Sequence, residues 1–161
     1  MRQSAYSAFA PRNQLHRPTH DVLRGIRVLI VDDDEDVRDT LCDVLGGHGA
    51  IVAVAGSAQA AREAIVPQPP DLLVSDIAMP REDGLALIAS IRGIAGLDDL
   101  PAIAVSANVS AIDRQRALAA GFDRFVAKPF DLADILGAVT ELLPATIARA
   151  RMPPSAQCRR P

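Results

Sequence analysis

Five short apolar runs, each followed by a helix-patterned stretch, most narrow what this 161-residue chain can become. The runs are Ile26–Val31, Ile51–Val54, Leu72–Ser75, Pro101–Ser106 and Phe125–Ala127. They lack apolar–polar alternation, so they read as strands buried on both faces, the pattern of a parallel sheet. Parallel strands need crossovers of a dozen or more residues, and the intervening segments supply amphipathic helices. Val37, Leu41, Val44 and Leu45 mark the first helix, which is expected to stop at Gly46-Gly47. The second runs from Ser57 to Val66 and ends at Pro67, and the third, from Gly84 to Ile91, turns Leu85, Leu87, Ile88 and Ile91 inward. Ser110, with Asp113 three residues later, forms a capping box for the fourth, which stops at Gly121. Asp131, with Asp134 three later, opens a fifth helix through Leu132, Ile135, Leu136, Val139, Leu142 and Leu143, ended by Pro144. Five βα units with short turns predict a doubly wound parallel α/β sheet with helices on both faces.

That pattern uses residues 25–144 and leaves no room for a second domain. Residues 1–24 are Pro-interrupted and aperiodic and read as a disordered basic arm; residues 145–161 read as a disordered basic tail. The arm holds four arginines against Asp21, and the tail four arginines and no acid, while the whole chain carries −3. The body between them is therefore strongly acidic, which argues against a nucleic-acid face on the domain itself. Aromatics are only 3% of residues, so the core must be aliphatic. Cys42 falls inside an apolar helical stretch and Cys158 in the tail, a spacing that supports neither a disulfide framework nor a zinc site. No apolar run is long enough to span a membrane and no signal peptide precedes the first strand, so no membrane contact and a cytoplasmic location are expected.

The chemistry gathers at the strand ends. In an open α/β sheet, ligands sit beyond the carboxyl ends of the strands. The residues delivered there are Asp32 and Asp33, Asp76, Ser106 with Ala107, and Lys128, the only lysine in the chain. Five consecutive acids, Asp32 to Asp36, follow the first strand; Glu35, Asp36 and Asp39 are most simply explained as the acidic first turns of a solvated helix. Hard oxygen ligands from two strands suit Mg²⁺, which prefers few carboxylates plus waters and a phosphate oxygen. A lysine and a hydroxyl opposite could hold phosphoryl oxygens, and an aspartate can act as nucleophile to give an aspartyl phosphate. Singly, these residues are ordinary caps and surface charges; their arrival at successive strand ends is the specific signal.

The stretches Val28-Leu29-Ile30-Val31-Asp32-Asp33, Leu72-Leu73-Val74-Ser75-Asp76-Ile77-Ala78-Met79-Pro80 with Gly84, Ala104-Val105-Ser106-Ala107, and Phe125-Val126-Ala127-Lys128-Pro129-Phe130 carry a resemblance. Residues 26–143 resemble the receiver domain of bacterial two-component response regulators. The resemblance implies a flavodoxin-like (βα)5 fold with strand order 2-1-3-4-5. It implies that Asp76 accepts a phosphoryl group from a phosphohistidine on a sensor histidine kinase or histidine phosphotransfer protein. Asp33, Asp76 and the backbone carbonyl of Ala78 would bind Mg²⁺, with Asp32 acting mainly through a water on the metal. Ser106 and Lys128 would bind phosphoryl oxygens, and Lys128-Pro129 would be cis. Ser106 and Phe125 would form the switch, although Phe125, where the family often has Tyr, has no hydroxyl to donate. Ala78, two residues after the acceptor, has no polar group to orient a hydrolytic water, so an aspartyl phosphate lasting minutes or longer is expected.

Two other chemistries fail on spacing. Asp32, Asp34 and Asp36 match the first ligands of an EF-hand, but Val37 stands where glycine is needed and Asp43 where glutamate is. A haloacid-dehalogenase-type phosphohydrolase would need a Thr or Val at Asp36 and a cap domain. The remaining alternative is a receiver-like interaction module acting without phosphorylation. With no effector domain after Pro144, output is expected through a downstream protein target, and a homodimer is compatible with the sequence. The Leu23-Arg24-Gly25 approach also resembles receivers fused to hybrid sensor kinases.

Overall fold

The structure, a computed structural model, describes residues 22–150. Five strands alternate with five helices: β1 (Arg27–Val31), α1 (Glu35–Gly47), β2 (Ile51–Ala55), α2 (Ala58–Ile65), β3 (Leu72–Asp76), α3 (Gly84–Arg92), β4 (Ala102–Ser106), α4 (Ala111–Ala120), β5 (Arg124–Ala127) and α5 (Leu132–Ala150). All strand pairs are parallel, in the order β2-β1-β3-β4-β5. This is the doubly wound, flavodoxin-like arrangement expected.

Strand alternation sends successive side chains to opposite faces, and two cores result. Leu29, Val31, Leu73, Ala102 and Ala104 face α2, α3 and α4, where Ile65, Leu87, Ile88, Ile91 and Ala117 cover them. Val28, Ile30, Val74, Ile103 and Val105 face α1 and α5, under Leu41, Leu45, Ile135, Val139 and Leu142. Cys42 packs at the edge of this second core as a small apolar residue, while Cys158 lies outside the described residues.

The caps are those the spacing predicts. The Ser110 hydroxyl accepts from Asp113 N–H at 3.1 Å. Asp131 and Asp134 bond reciprocally, each carboxylate accepting the other's backbone N–H at 3.0 Å. Gly121 closes α4 at φ +120°.

Helix α1 ends at Gly47, as expected, and a left-handed Gly49 (φ +91°) follows two residues on. Two boundaries differ from expectation by more than a residue. Residues 22–24, assigned to the loose arm, belong to the fold: Leu23 is fully buried and its N–H donates to the His48 carbonyl at 2.9 Å. Helix α5 does not stop at Pro144 but continues to Ala150, so 145–150 are helix rather than loose tail. Proline removes one helical hydrogen bond and crowds the preceding turn. Here Thr146, fully buried, donates its hydroxyl to the Leu142 carbonyl at 2.9 Å, and Ile147 packs on the α1/α5 core. Burial beyond the proline outweighs the local penalty. Residues 1–21 and 151–161 lie outside the described residues.

Candidate functional site

The sheet register assembles the site. Val31 pairs with Ser75, Asp76 with Val105, and Ser106 with Ala127. One step beyond those pairs, Asp32 and Lys128 leave the sheet at the same edge as Asp76. Carboxylate oxygens of Asp32, Asp33 and Asp76 all lie within 4.8 Å of one another. Lys128 Nζ donates to Asp32 Oδ2 at 2.8 Å and lies 3.6 Å from Asp76 Oδ1. Asp32 and Asp76 are buried and Asp33 is exposed, so the cluster opens to solvent through Asp33.

Local structure holds each group. Asp32 Oδ1 accepts from Asp34 N–H at 2.9 Å, and Asp34 caps α1. This removes Asp34 from the cluster and explains much of the acidic run as helix start. Ser106 is buried at the end of β4; its hydroxyl accepts from Asn108 N–H at 3.1 Å, and its carbonyl from Lys128 N–H at 2.7 Å. The Lys128-Pro129 peptide is cis.

The loop after Asp76 folds tightly back. Met79 is buried, Arg81 takes φ +70°, and Gly84 N–H donates to the Ile77 carbonyl at 2.9 Å. A Cβ on Gly84 would stand 2.2 Å from the Asp76 carbonyl oxygen and 2.9 Å from Ile77 Cα. Glycine is thus required so that α3 can abut the strand end that carries Asp76. Arg62 of α2 grips Glu82 with two hydrogen bonds, at 2.7 and 2.6 Å.

Three carboxylates face one ammonium, and the electrostatics follow. Burial raises the Asp76 pKa; the Lys128 charge opposes this, the Asp32 charge adds to it, a backbone bond from Ala78 opposes it and Asp33 adds to it, leaving the carboxyl above its ordinary range. For Lys128, burial works against the charge, but the Asp32 hydrogen bond and the charges of Asp76 and Asp32 outweigh it and raise its pKa. Two carboxylates about 4 Å apart repel by about 4 kcal/mol at an effective dielectric near 20. A single lysine leaves that repulsion only partly offset. The donor set, all carboxylate oxygen and opening to water on one side, fits a small divalent cation that keeps several waters.

Of the residues singled out from sequence, Asp32, Asp33, Asp76 and Lys128 converge. Ser106 lies on the adjacent strand, one residue beyond the register partner of Asp76. Ala78 is exposed on the loop after β3, and Phe125 is half-buried on β5 against the α2–α4 core. Sequence reasoning missed Arg38, whose Nη1 donates to the Asp32 carbonyl at 2.7 Å, and the Arg62–Glu82 grip. A basic residue six positions after Asp32 in an acidic helix start was the only signal of the first; the second joins distant segments and had none.

The family described as the response regulator receiver domain matches residues 28–140. An uncharacterized 14.6 kDa protein of Leptolyngbya boryana is 43% identical over 119 residues, covering 74% of this chain and 91% of that protein. Response regulator MprA of Mycobacterium tuberculosis is 39% identical over 122 residues, 76% of this chain but 52% of MprA, so the match spans about half of that relative. A putative response regulator from Chloroflexus aurantiacus superposes with a TM-score of 0.71 at 31% identity, covering 74% of this chain and 98% of that one. Among the described residues, no helix is long and apolar enough to cross a membrane.

Proposed function

Because this chain belongs to the response regulator receiver family, we propose that it accepts a phosphoryl group on Asp76 from a phosphohistidine and signals through protein contacts. The observation that carries the reading is the convergence of Asp76 with Asp32, Asp33 and Lys128 at one sheet edge. The donor would be a sensor histidine kinase or a histidine phosphotransfer protein. In the transfer, an Asp76 carboxylate oxygen attacks phosphorus. The P–O bond forms as the P–N bond breaks, and its electron pair returns to the imidazole. Lys128, already 3.6 Å from Asp76, would move onto a phosphoryl oxygen, and the Ser106 hydroxyl would donate to another. Asp32, Asp33, Asp76 and the Ala78 carbonyl would hold Mg²⁺, which when bound neutralises charge on the phosphoryl oxygens. Catalysis of this kind is mostly positioning and charge neutralisation.

Partner access is supported by a hollow of about 410 Å³ beside the site, lined by Val37, Ala107, Lys128, Pro129 and Phe130. Its largely apolar walls suit a protein surface that presents a histidine. On the output side, Ser106 and Phe125 lie on adjacent strands. Engagement of Ser106 by a phosphoryl group would be relayed by inward rotation of the half-buried Phe125 ring.

The test is phosphoryl incorporation from acetyl phosphate, with and without Mg²⁺, in the wild type and Asp76→Asn. Mg²⁺-dependent incorporation that Asp76→Asn abolishes is expected. Label surviving in Asp76→Asn would name a different acceptor, and none in the wild type would favour a module that binds partners without phosphorylation. In Phe125→Ala, phosphorylation should no longer change partner affinity; an undiminished change would remove Phe125 from the switch.

A further inference from the structure

Arg38 stands one turn into α1 and reaches back across the β1–α1 turn, where its Nη1 donates to the backbone carbonyl of Asp32 at 2.7 Å. The guanidinium also fills the space beside the β2–α2 turn. A Cβ on Gly56 would lie 3.4 Å from Nη1 and 3.8 Å from Cζ. Asp32 is thereby held at every polar position: N–H to the Ala55 carbonyl at 3.1 Å, carbonyl to Arg38, Oδ1 to Asp34 and Oδ2 to Lys128. The carbonyl that Arg38 grips belongs to the peptide joining Asp32 to Asp33. Asp33 is exposed, and the Cα from which its carboxylate reaches the cluster is placed by that peptide. A charge-assisted bond is the stronger kind of restraint on such a peptide.

We propose that Arg38 is a positioning residue for the cation site: through the Asp32 carbonyl it fixes the Asp32–Asp33 peptide and so the aim of both carboxylates. The inference rests on the metal reading of the acid cluster proposed above. Charge and position pull in opposite directions here. Removing a positive charge near three carboxylates strengthens cation binding by Coulomb's law, whereas loosening the peptide weakens it. The sign of the change therefore separates positioning from a mere surface charge.

The experiment is calorimetric titration of the full, unphosphorylated chain with Mg²⁺, in the wild type, Arg38→Met and Arg38→Lys. Melting in chelator and in Mg²⁺ accompanies it. Loss of a group that orients a metal ligand costs about tenfold in affinity, and that is the expected weakening in Arg38→Met, with a smaller Mg²⁺-induced rise in melting temperature. Arg38→Lys, which keeps a cationic donor, should recover most of the affinity. If Arg38→Met does not fold, Arg38→Gln takes its place and should bind more weakly than Arg38→Lys. Unchanged or tighter binding in Arg38→Met or its substitute overturns the inference while leaving the metal site standing. Absence of Mg²⁺ binding in the wild type overturns the metal reading itself, and this inference with it.

Discussion

Asp76 is held in a place that disfavours its charge. Burial raises its pKa, two neighbouring acids push the same way, and one lysine and one backbone bond oppose them. The folded-state pKa lies above the unfolded value, so the folded state binds this proton more tightly. The contribution of Asp76 to stability is then fully present below the ordinary carboxylate pKa and is lost as pH rises through the raised folded value. At neutral pH without metal, ionised Asp76 is a destabilising group. Asp76→Asn keeps the shape and removes the charge, so in chelator at neutral pH it should melt higher than wild type. A gain of about 1 kcal/mol would move the midpoint by roughly 4 °C in a domain of this size. The difference should shrink as pH falls through the raised folded value toward the ordinary carboxylate pKa, where the wild-type carboxyl is neutral too. A lower melting point for Asp76→Asn at neutral pH in chelator would falsify this account of the site's electrostatics.

At the scale of the elements, the site depends on how closely α3 approaches β3. Asp83 caps α3 by accepting from Ala86 N–H at 2.8 Å, and the next residue must be glycine because the Asp76 carbonyl occupies the position of its missing Cβ. Gly84→Ala cannot be accommodated by a side-chain rotation, since the atoms met are backbone. It should cost about 2–3 kcal/mol in urea unfolding, the range of an overpacked core, and it should slow phosphoryl incorporation by displacing Asp76. An alanine variant as stable and as fast as wild type would mean that the loop moves freely. Helix α5 makes the opposite point, that a locally forbidden residue persists where packing is strong. Pro144 lies inside it because Thr146 and Ile147 beyond the proline are anchored on the core.

Across the whole molecule the two ends of the sheet serve different ends. The carboxyl edge gathers like charges that work against folding, and the opposite edge is tied down. There Asp71, fully buried, accepts from Arg27 N–H at 2.9 Å, Nε at 3.0 Å and Nη2 at 2.8 Å, and its own N–H donates to the Arg27 carbonyl. Arg92 likewise joins the α3–β4 and α4–β5 connections through the carbonyls of Leu97, Leu100 and Gly121. Breaking a buried pair from one side costs about 3 kcal/mol or more, and Asp71→Ala should lose about that in stability. Its Mg²⁺ affinity, measured where the variant is folded, should match wild type. A parallel loss of metal binding would show that the two edges are coupled through the sheet.

The strands, their parallel class and the residues at their carboxyl ends were legible in the sequence, because apolar runs and helix caps are local signals. Asp32, Asp33, Asp76 and Lys128 could be named from it because each lies within two residues of the end of such a run. The strand order and the cis Lys128-Pro129 peptide were legible only through family resemblance, since neither is a local property of those residues. The remainder depends on long-range contact and emerges only in the folded chain. Leu23 closes the core beneath β1, α5 runs past Pro144, Asp71 meets Arg27 across 44 residues, and Arg38 takes the Asp32 carbonyl. Local pattern registers the cost of a proline or a lone charge, and only the folded chain supplies the partner that offsets it.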